Sequence, residues 1–338
     1  MTRLLHVSPA APNPAAIQAA AEILRRGGLV AFPTETVYGL GANALDETAV
    51  AGIFTAKGRP ATNPLIAHVA DVEMAKTVVA EWPETAERLA AAFWPGPLTL
   101  VLPKGPAVPM SVTAGLPAVG VRVPAHPVAI ALIREAGVPV AAPSANPYMG
   151  VSPTAAEHVA KGMAGRVDLI LDGGATSVGL ESTVLDLTRP VPTVLRLGGL
   201  PVAKLREVLG EVDVLVSEGG EPETHLPSPG LARRHYAPKA AVRLVGDRAT
   251  LIAEAGRLTT AGERVGVMAL GPIELAPSVV VEAMPVVPDL YGSRLYATLH
   301  ALDALGLSAI IVETPPDGEA WGAVRDRLRR ATADAPTG

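Results

Sequence analysis

Residues 13–32 read Asn-Pro-Ala-Ala-Ile-Gln-Ala-Ala-Ala-Glu-Ile-Leu-Arg-Arg-Gly-Gly-Leu-Val-Ala-Phe, and the hydrophobic period changes once within them. Asn13 before Pro14 opens a helix, because asparagine caps free N–H groups and proline's fixed φ suits the first helical position. Ile17, Ala21 and Leu24 share one face, Gly27-Gly28 stops the helix, and 29–32 then runs apolar without a break, as a buried strand does. The same alternation recurs outward. Helices are expected over 47–56, 84–93, 128–136, 155–161 and 202–209, with Thr154 and Glu157 closing a capping box before the fourth. Strands are expected over 65–69, 98–102, 119–123, 138–142, 169–171, 183–187 and 194–197. Mixed alternation with short connections specifies an α/β (α+β) domain of about 210 residues.

From 217 to 238 the texture becomes polar and rich in breakers, with Glu-Gly-Gly-Glu-Pro-Glu and then Leu-Pro-Ser-Pro-Gly. This predicts a first domain over 1–210, a linker over 211–239 and a second, smaller α/β domain over 240–338. The second part shows strand patterns at 242–245, 265–270 and 309–312. A helical pattern covers 249–258, another runs through Leu295, Leu299, Leu302 and Leu305, and a last one ends in Arg-Leu-Arg-Arg.

Composition removes several function classes. No cysteine is present, which excludes thiolate zinc sites, iron–sulfur clusters and thiol nucleophiles. Eleven aromatics in 338 residues are too few for a broad base-stacking surface. The net charge of −5 is confined to the second part, since residues 1–210 carry 16 basic and 16 acidic side chains. An anion site is therefore a local cluster, and bulk attraction to nucleic acid is not expected. The N-terminus has no sustained apolar run, which predicts a cytoplasmic protein. The uncharged stretch 136–156 contains Pro139, Pro143, Pro147 and Pro153, so it reads as a buried strand and loop, not a membrane span.

Gly39-Leu40-Gly41-Ala42-Asn43-Ala44 fits the dinucleotide fingerprint in form only. The acidic residue expected some 20 positions on is missing, and Lys57-Gly58-Arg59 stands there instead. No phosphate-binding G-x-x-x-x-G-K-S/T, G-x-S-x-G or H-E-x-x-H occurs. What remains is a set of segments pairing hydroxyl or cationic residues with strand ends and breakers: 33–41 (Pro-Thr-Glu-Thr-Val-Tyr-Gly-Leu-Gly), 57–60 (Lys-Gly-Arg-Pro), 94–99 (Trp-Pro-Gly-Pro-Leu-Thr), 121–124 (Val-Arg-Val-Pro), 143–146 (Pro-Ser-Ala-Asn) and 181–184 (Glu-Ser-Thr-Val). Such residues build a polar pocket at a sheet edge. Lys57 and Arg59 either converge on phosphate oxygens or sit solvated at a helix C-terminus. Arg122, inside an apolar strand, needs either an anionic ligand or a structural ion pair, and Arg196 poses the same choice. His68 by its flanks reads as a satisfied core histidine.

Together these segments resemble the threonylcarbamoyl-AMP synthase family, the YrdC-like fold, in its longer two-domain form. The likeness runs from about residue 10 to 208, and Ser-Pro-Gly-Leu-Ala-Arg-Arg-His-Tyr-Ala-Pro at 228–238 looks like the linker signature of the long form. The resemblance implies a twisted mixed-sheet catalytic domain with a concave site, plus a Rossmann-like C-terminal domain. It implies synthesis of threonylcarbamoyl-adenylate from threonine, bicarbonate and ATP, with Mg²⁺ accompanying ATP and no prosthetic group. A downstream tRNA threonylcarbamoyl transferase is the implied partner, with direct tRNA contact weak.

By that resemblance Thr36, His68, Arg122, Ala142 and Ser182 line the threonine site. Lys57, Arg59, Asn63, Ala118, Ser144, Asn146, Ser152, Arg196 and Tyr236 serve ATP. Lys57, Arg59 and Arg122 carry the chemistry, Arg122 as clamp on the threonine carboxylate. No protein residues are expected to hold a metal themselves. The family often has threonine at Ala118 and methionine at Leu231. The linker carrying His235 and Tyr236 is expected to close over the first domain. Competing readings are an RNA-binding module, a carbamoyl-transfer domain and an assembly scaffold. The absence of cysteine counts against the second, because such domains usually accompany zinc fingers.

Overall fold

The computed structural model describes residues 1–215 and 235–332. Most of the expected linker, including Leu231, lies outside the described residues. The chain divides into two compact units, one built from 1–148 and 152–215 and the other from 149–151 and 235–332.

The first unit begins with β1 (Arg3–His6), α1 (Pro14–Arg25), β2 (Val30–Phe32), β3 (Gly39–Asn43) and α2 (Glu47–Lys57). Next come β4 (Ile66–His68), α3 (Val72–Val78), α4 (Glu84–Phe93), β5 (Leu98–Pro103), α5 (Met110–Thr113), β6 (Ala118–Arg122) and α6 (Pro127–Ala136). It finishes with β7 (Val140–Ala141), α7 (Ala156–Met163), β8 (Leu169–Asp172), β9 (Thr183–Asp186), β10 (Thr193–Arg196), α8 (Val202–Leu209) and β11 (Asp213–Val214). The strands form one mixed sheet in the order β1-β8-β2-β3-β7-β4-β6-β5-β9-β10-β11.

Asn13 caps α1 through its side-chain oxygen, which accepts the N–H groups of Ala15 and Ala16 at 2.9 and 3.3 Å. The apolar faces of α1 and α6 bury Leu24, Leu132 and Ile133 against Val30, Phe32 and Leu169 of the sheet. A larger cluster on Leu40, Ile53, Leu98, Leu100 and Val121 fills the rest. The false fingerprint at residues 39–44 is strand β3 and its exit, paired antiparallel with β2 and β7. The uncharged stretch 136–156 is strand and loop, as its prolines demand, and no helix among the described residues is long and apolar enough to cross a membrane.

The capping box at Thr154 does not form. α7 begins at Ala156 with Ala155 at its N-cap and no side-chain cap, and the N–H of Thr154 is instead accepted by His158 Nδ1 at 3.2 Å. The imidazole one turn on outcompetes the carboxylate of Glu157, whose side chain stays in solvent.

The second unit holds β12 (Ala241–Val245), α9 (Arg248–Thr260), β13 (Val265–Leu270), β14 (Val280–Met284), α10 (Pro288–Ala304), β15 (Ala309–Glu313) and, after a 3₁₀ turn, α11 (Gly322–Thr332). Its four strands are all parallel in the order β12-β15-β13-β14. Parallel pairing demands crossovers; α9 supplies the one from β12 to β13 and α10 the one from β14 to β15, while residues 271–279 join β13 to β14 without a helix. Leu251, Ala255 and Leu258 of α9 pack on Val265, Val267 and Ile311.

Candidate active site

The site-bearing residues of the first unit collect where strands end. β4 and β6 run parallel with His68 directly beside Arg122. Between β6 and β9 lies β5, whose Thr99 bonds Ser182 at 2.8 Å. The Trp94–Pro97 turn ties these ends together. Gly96 donates its N–H to Val123 O and accepts from Arg122 Nε at 3.1 Å, while Pro97 O accepts the N–H of Thr183. Only glycine fits at 96, since a Cβ there would stand 2.2 Å from Phe93 O.

Arg122 is buried and paired with Glu35, Nη2 to Oε1 at 2.6 Å, with 4% and 8% of the side chains exposed. The sequence left a ligand or an ion pair as alternatives for this arginine. The structure supplies the ion pair and still leaves one edge of the guanidinium, Nη1, without a bonded acceptor among the described residues. Glu35 itself was not legible as a site residue. An acid between two threonines in a buried segment is the only sequence signal it gives.

Thr36 lies beside it, its hydroxyl 2.7 Å from that of Thr34, which donates to Val37 O. His68 is buried against the edge of Phe32. Burial, aided by the charge of Arg122, pushes its pKa from 6.5 down to about 3. The ring is therefore neutral at physiological pH and is a poor proton acceptor. The unfolded chain takes up this proton near pH 6.5 and the folded chain only near 3, so unfolding binds a proton in between. Stability is expected to fall as pH drops through that window, with this one group contributing a slope of about 1.4 kcal/mol per pH unit. Urea unfolding at stepped pH checks this: His68→Gln should flatten the dependence by about one proton.

Lys57, last residue of α2, is also buried, and Gly58 closes the helix behind it with φ 64°. Its Nζ donates to the backbone oxygens of Ser144 and Asn146, both at 2.5 Å. Burial, with a smaller part from Arg59, holds its pKa well below that of an ordinary lysine. The solvated helix end is thereby overturned: Lys57 locks the Pro143–Asn146 loop. That loop also docks on the start of β3, through Leu40 N–H to Pro143 O and Ala145 N–H to Tyr38 O. Arg59 donates to Pro64 O at 2.9 Å and, more weakly, to Asn63 O. The amide of Asn63 is buried, and neither its oxygen nor its nitrogen has a hydrogen-bond partner among the described residues. An orphaned buried amide is costly in a finished core and expected where a ligand completes it.

Across the sheet, Arg196 donates from Nε and Nη2 to Ser182 O and from Nη2 to Ser182 Oγ. Ser152 Oγ bonds Glu181 Oε1 at 2.7 Å. Gly198 lets the chain after β10 pass close to the Glu181–Thr183 backbone, because a Cβ there would sit 2.3 Å from Glu181 O. Glu181 and Thr99 join Glu35 as site residues that the sequence did not single out.

Alternation along β6 builds the floor. Val119 and Val121 face the core, whereas Ala118, Gly120 and Arg122 share the other face, and Ala118 and Gly120 are half-exposed. A strip with almost no side chains thus leads away from Arg122, flanked by Thr99 and Ile66. Ala118, four residues from Arg122, packs beside Ile66, Val101, Val184 and Leu195. Ala142 follows β7, its N–H bonded to Ile66 O. The arrangement suits an extended ligand with a carboxylate at one end. Among the described residues, no group of three or more His, Asp or Glu side chains is placed to hold a metal ion.

Tyr236 belongs to the second unit. It is buried at φ 61°, stacked on Tyr296 at 5.6 Å between ring centroids, with the Arg327 guanidinium carbon 5.0 Å from its own centroid.

Comparison with known proteins identifies the lineage. Residues 22–198 match the family described as Telomere recombination, and residues 200–333 match Threonylcarbamoyl-AMP synthase, C-terminal domain. The threonylcarbamoyl-AMP synthase of Pyrococcus abyssi is 46% identical over 94% of each chain. That of Bacillus subtilis is 42% identical over 94% of this chain and 93% of its own. The crystal structure of P. abyssi Sua5 complexed with L-threonine superposes with a TM-score of 0.92, at 43% identity over 98% of both chains. The chain belongs to the threonylcarbamoyl-AMP synthase family, in the form that carries the C-terminal domain.

Proposed function

We propose that this chain is a nucleotidyltransferase that makes threonylcarbamoyl-adenylate from L-threonine, bicarbonate and ATP, releasing pyrophosphate and water. The observation that carries the reading is the pinned guanidinium of Arg122 at the head of the bare β6 strip, in a chain alike over nearly its whole length to a relative solved with L-threonine.

The threonine amine, freed of its ammonium proton, attacks the carbon of bicarbonate; a C–N bond forms and water leaves. A carbamate oxygen then attacks the α-phosphorus of ATP in line, and the bond to pyrophosphate breaks with its electron pair on the leaving oxygen. No enzyme nucleophile is required. Arg122 takes the carboxylate through Nη1, and Thr36 and Ser182 offer hydroxyls to the amine and side-chain hydroxyl. A site that bonds a hydroxyl rejects an isostere lacking one far better than an apolar pocket does, so serine is the hard competitor and valine the easy one.

Arg59 and Arg196 contribute positive charge toward the phosphates, and Lys57 acts by holding Ser144 and Asn146 in place. The Asn63 amide gains its missing hydrogen bonds from the nucleotide. Mg²⁺ would enter with ATP as part of the substrate and would neutralise charge on its phosphates beside Arg59 and Arg196. The product is a mixed anhydride, so a transferase that modifies tRNA is the consumer we assign it, in the cytoplasm.

The test is pyrophosphate release by purified protein with MgATP and bicarbonate, comparing threonine, serine, valine and no amino acid, with the product identified by mass. Threonine-dependent release with the adenylate mass supports the reading. Release independent of amino acid, or none, overturns it.

A further inference from the structure

We propose that Glu35 is a positioning residue: by gripping Nη2 of Arg122 it fixes the direction in which Nη1 meets the substrate carboxylate, and so sets affinity for the amino acid separately from affinity for the nucleotide. This rests on Arg122 being the carboxylate clamp.

Three contacts hold Glu35. Its Oε2 accepts the N–H of Ala125 at 3.0 Å, its backbone oxygen accepts the N–H of Val178 at 2.8 Å, and Oε1 stands 2.6 Å from Arg122 Nη2. The last approach is close but not aligned as a hydrogen bond, so it acts as a contact between charges. Arg122 is held a second time through Nε, by Gly96 O at 3.1 Å. A planar group held at two of its three nitrogens cannot turn about its own axis, and only the direction of Nη1 remains to meet a ligand. Both Oε1 of Glu35 and Nη2 of Arg122 are shut off from solvent. Glu35 therefore stands behind the guanidinium and acts through it, without touching substrate.

The pairing also sets the charge. A buried arginine with no counter-ion would draw any anion, including the phosphates of ATP. With Glu35 beside it, the pair is neutral as a whole and rewards a carboxylate that approaches along Nη1. Glu35 thus makes Arg122 a directional reader.

Glu35→Gln retains the volume and an oxygen for Ala125 N–H while removing the charge, and Glu35→Asp retains the charge while drawing it back by one methylene. Steady-state pyrophosphate release on the full chain is measured for both variants, with thermal melting alongside. The expected result is a rise in KM for threonine of about tenfold to a hundredfold in the glutamine variant, as displacement of a positioning group gives. A smaller rise is expected in the aspartate variant, with KM for ATP and kcat held. If the glutamine variant does not fold, the aspartate variant decides by the same split. Unchanged KM for threonine, or a parallel loss in both KM values and kcat, overturns the proposal and leaves Glu35 a structural residue. Failure of the wild-type protein to respond to threonine would instead overturn the assigned reaction.

Discussion

Arg122→Met is expected to abolish threonine-dependent pyrophosphate release and to lower stability by about 3–5 kcal/mol, the range for breaking a buried ion pair by removing one partner. The cost arises less from the lost attraction than from what is left behind. Glu35 keeps one N–H, from Ala125, but its Oε1 would face a thioether in a site already closed to water. The double variant Arg122→Met, Glu35→Gln separates the two effects. Replacing both charges recovers most of the stability, because a buried pair contributes little net against groups of similar shape. It recovers no activity, because the carboxylate clamp is gone. Chemical denaturation and the pyrophosphate assay on the two variants check both halves. Recovery of threonine dependence in the double variant would contradict the role given to Arg122.

Lys57→Met is the second change of large expected effect. The methionine fills the same space, yet the backbone oxygens of Ser144 and Asn146 lose their shared donor. Each lost donation at a buried or partly buried carbonyl costs about 1–3 kcal/mol. Relief from burying an amine offsets part of this, so a net loss of about 2 kcal/mol is expected. The kinetic loss is larger, about a hundredfold in kcat/KM for ATP, because the Pro143–Asn146 loop no longer presents its side chains at fixed positions. The lowered pKa adds a pH signature. The unfolded chain holds the lysine proton up to its ordinary pKa of 10.5 and the folded chain releases it earlier, so wild-type stability rises with pH through that window. The methionine variant loses that rise. An unaltered pH dependence of unfolding would show that Lys57 is charged in both states.

Elements with local punctuation were legible in the sequence. α1 follows from Asn13-Pro14 at one end and Gly27-Gly28 at the other, and α4 and α8 lie where their apolar faces placed them. β3 was not legible, because Gly39, Gly41 and Asn43 carry weak strand preference. It is a strand by its pairing with β2 and β7, and glycine is needed at 41 because a Cβ there would stand 2.8 Å from both the Phe32 ring and Val140. β1, α3, α5, β11 and β14 were also missed, being short or stabilised by their neighbours more than by their own pattern.

In the site, the cations were visible as anomalies, but their partners were not. Lys57 bonds two backbone oxygens, and no side-chain pattern announces a carbonyl. Arg122 forms an ion pair with a glutamate far away in sequence, one acid among sixteen in that domain. Asn63 was named by family likeness, and its unpaired amide gives that likeness a physical reason.

The pairing of the first strand bears on how this chain is made. Arg3 pairs with Leu169 and His6 with Asp172, so β1 has no partner until β8 has been synthesised. At about 5–20 residues per second, that interval lasts on the order of 10–30 s on the ribosome. Meanwhile β2 can pair with β3 as soon as the intervening turn is complete, and the central strands can assemble. The leading strand waits longest, and its sequence suits the wait. It is four residues long, with Arg3 and His6 at its ends and its side chains largely in solvent even in the finished fold, which makes it a poor template for a neighbouring nascent chain.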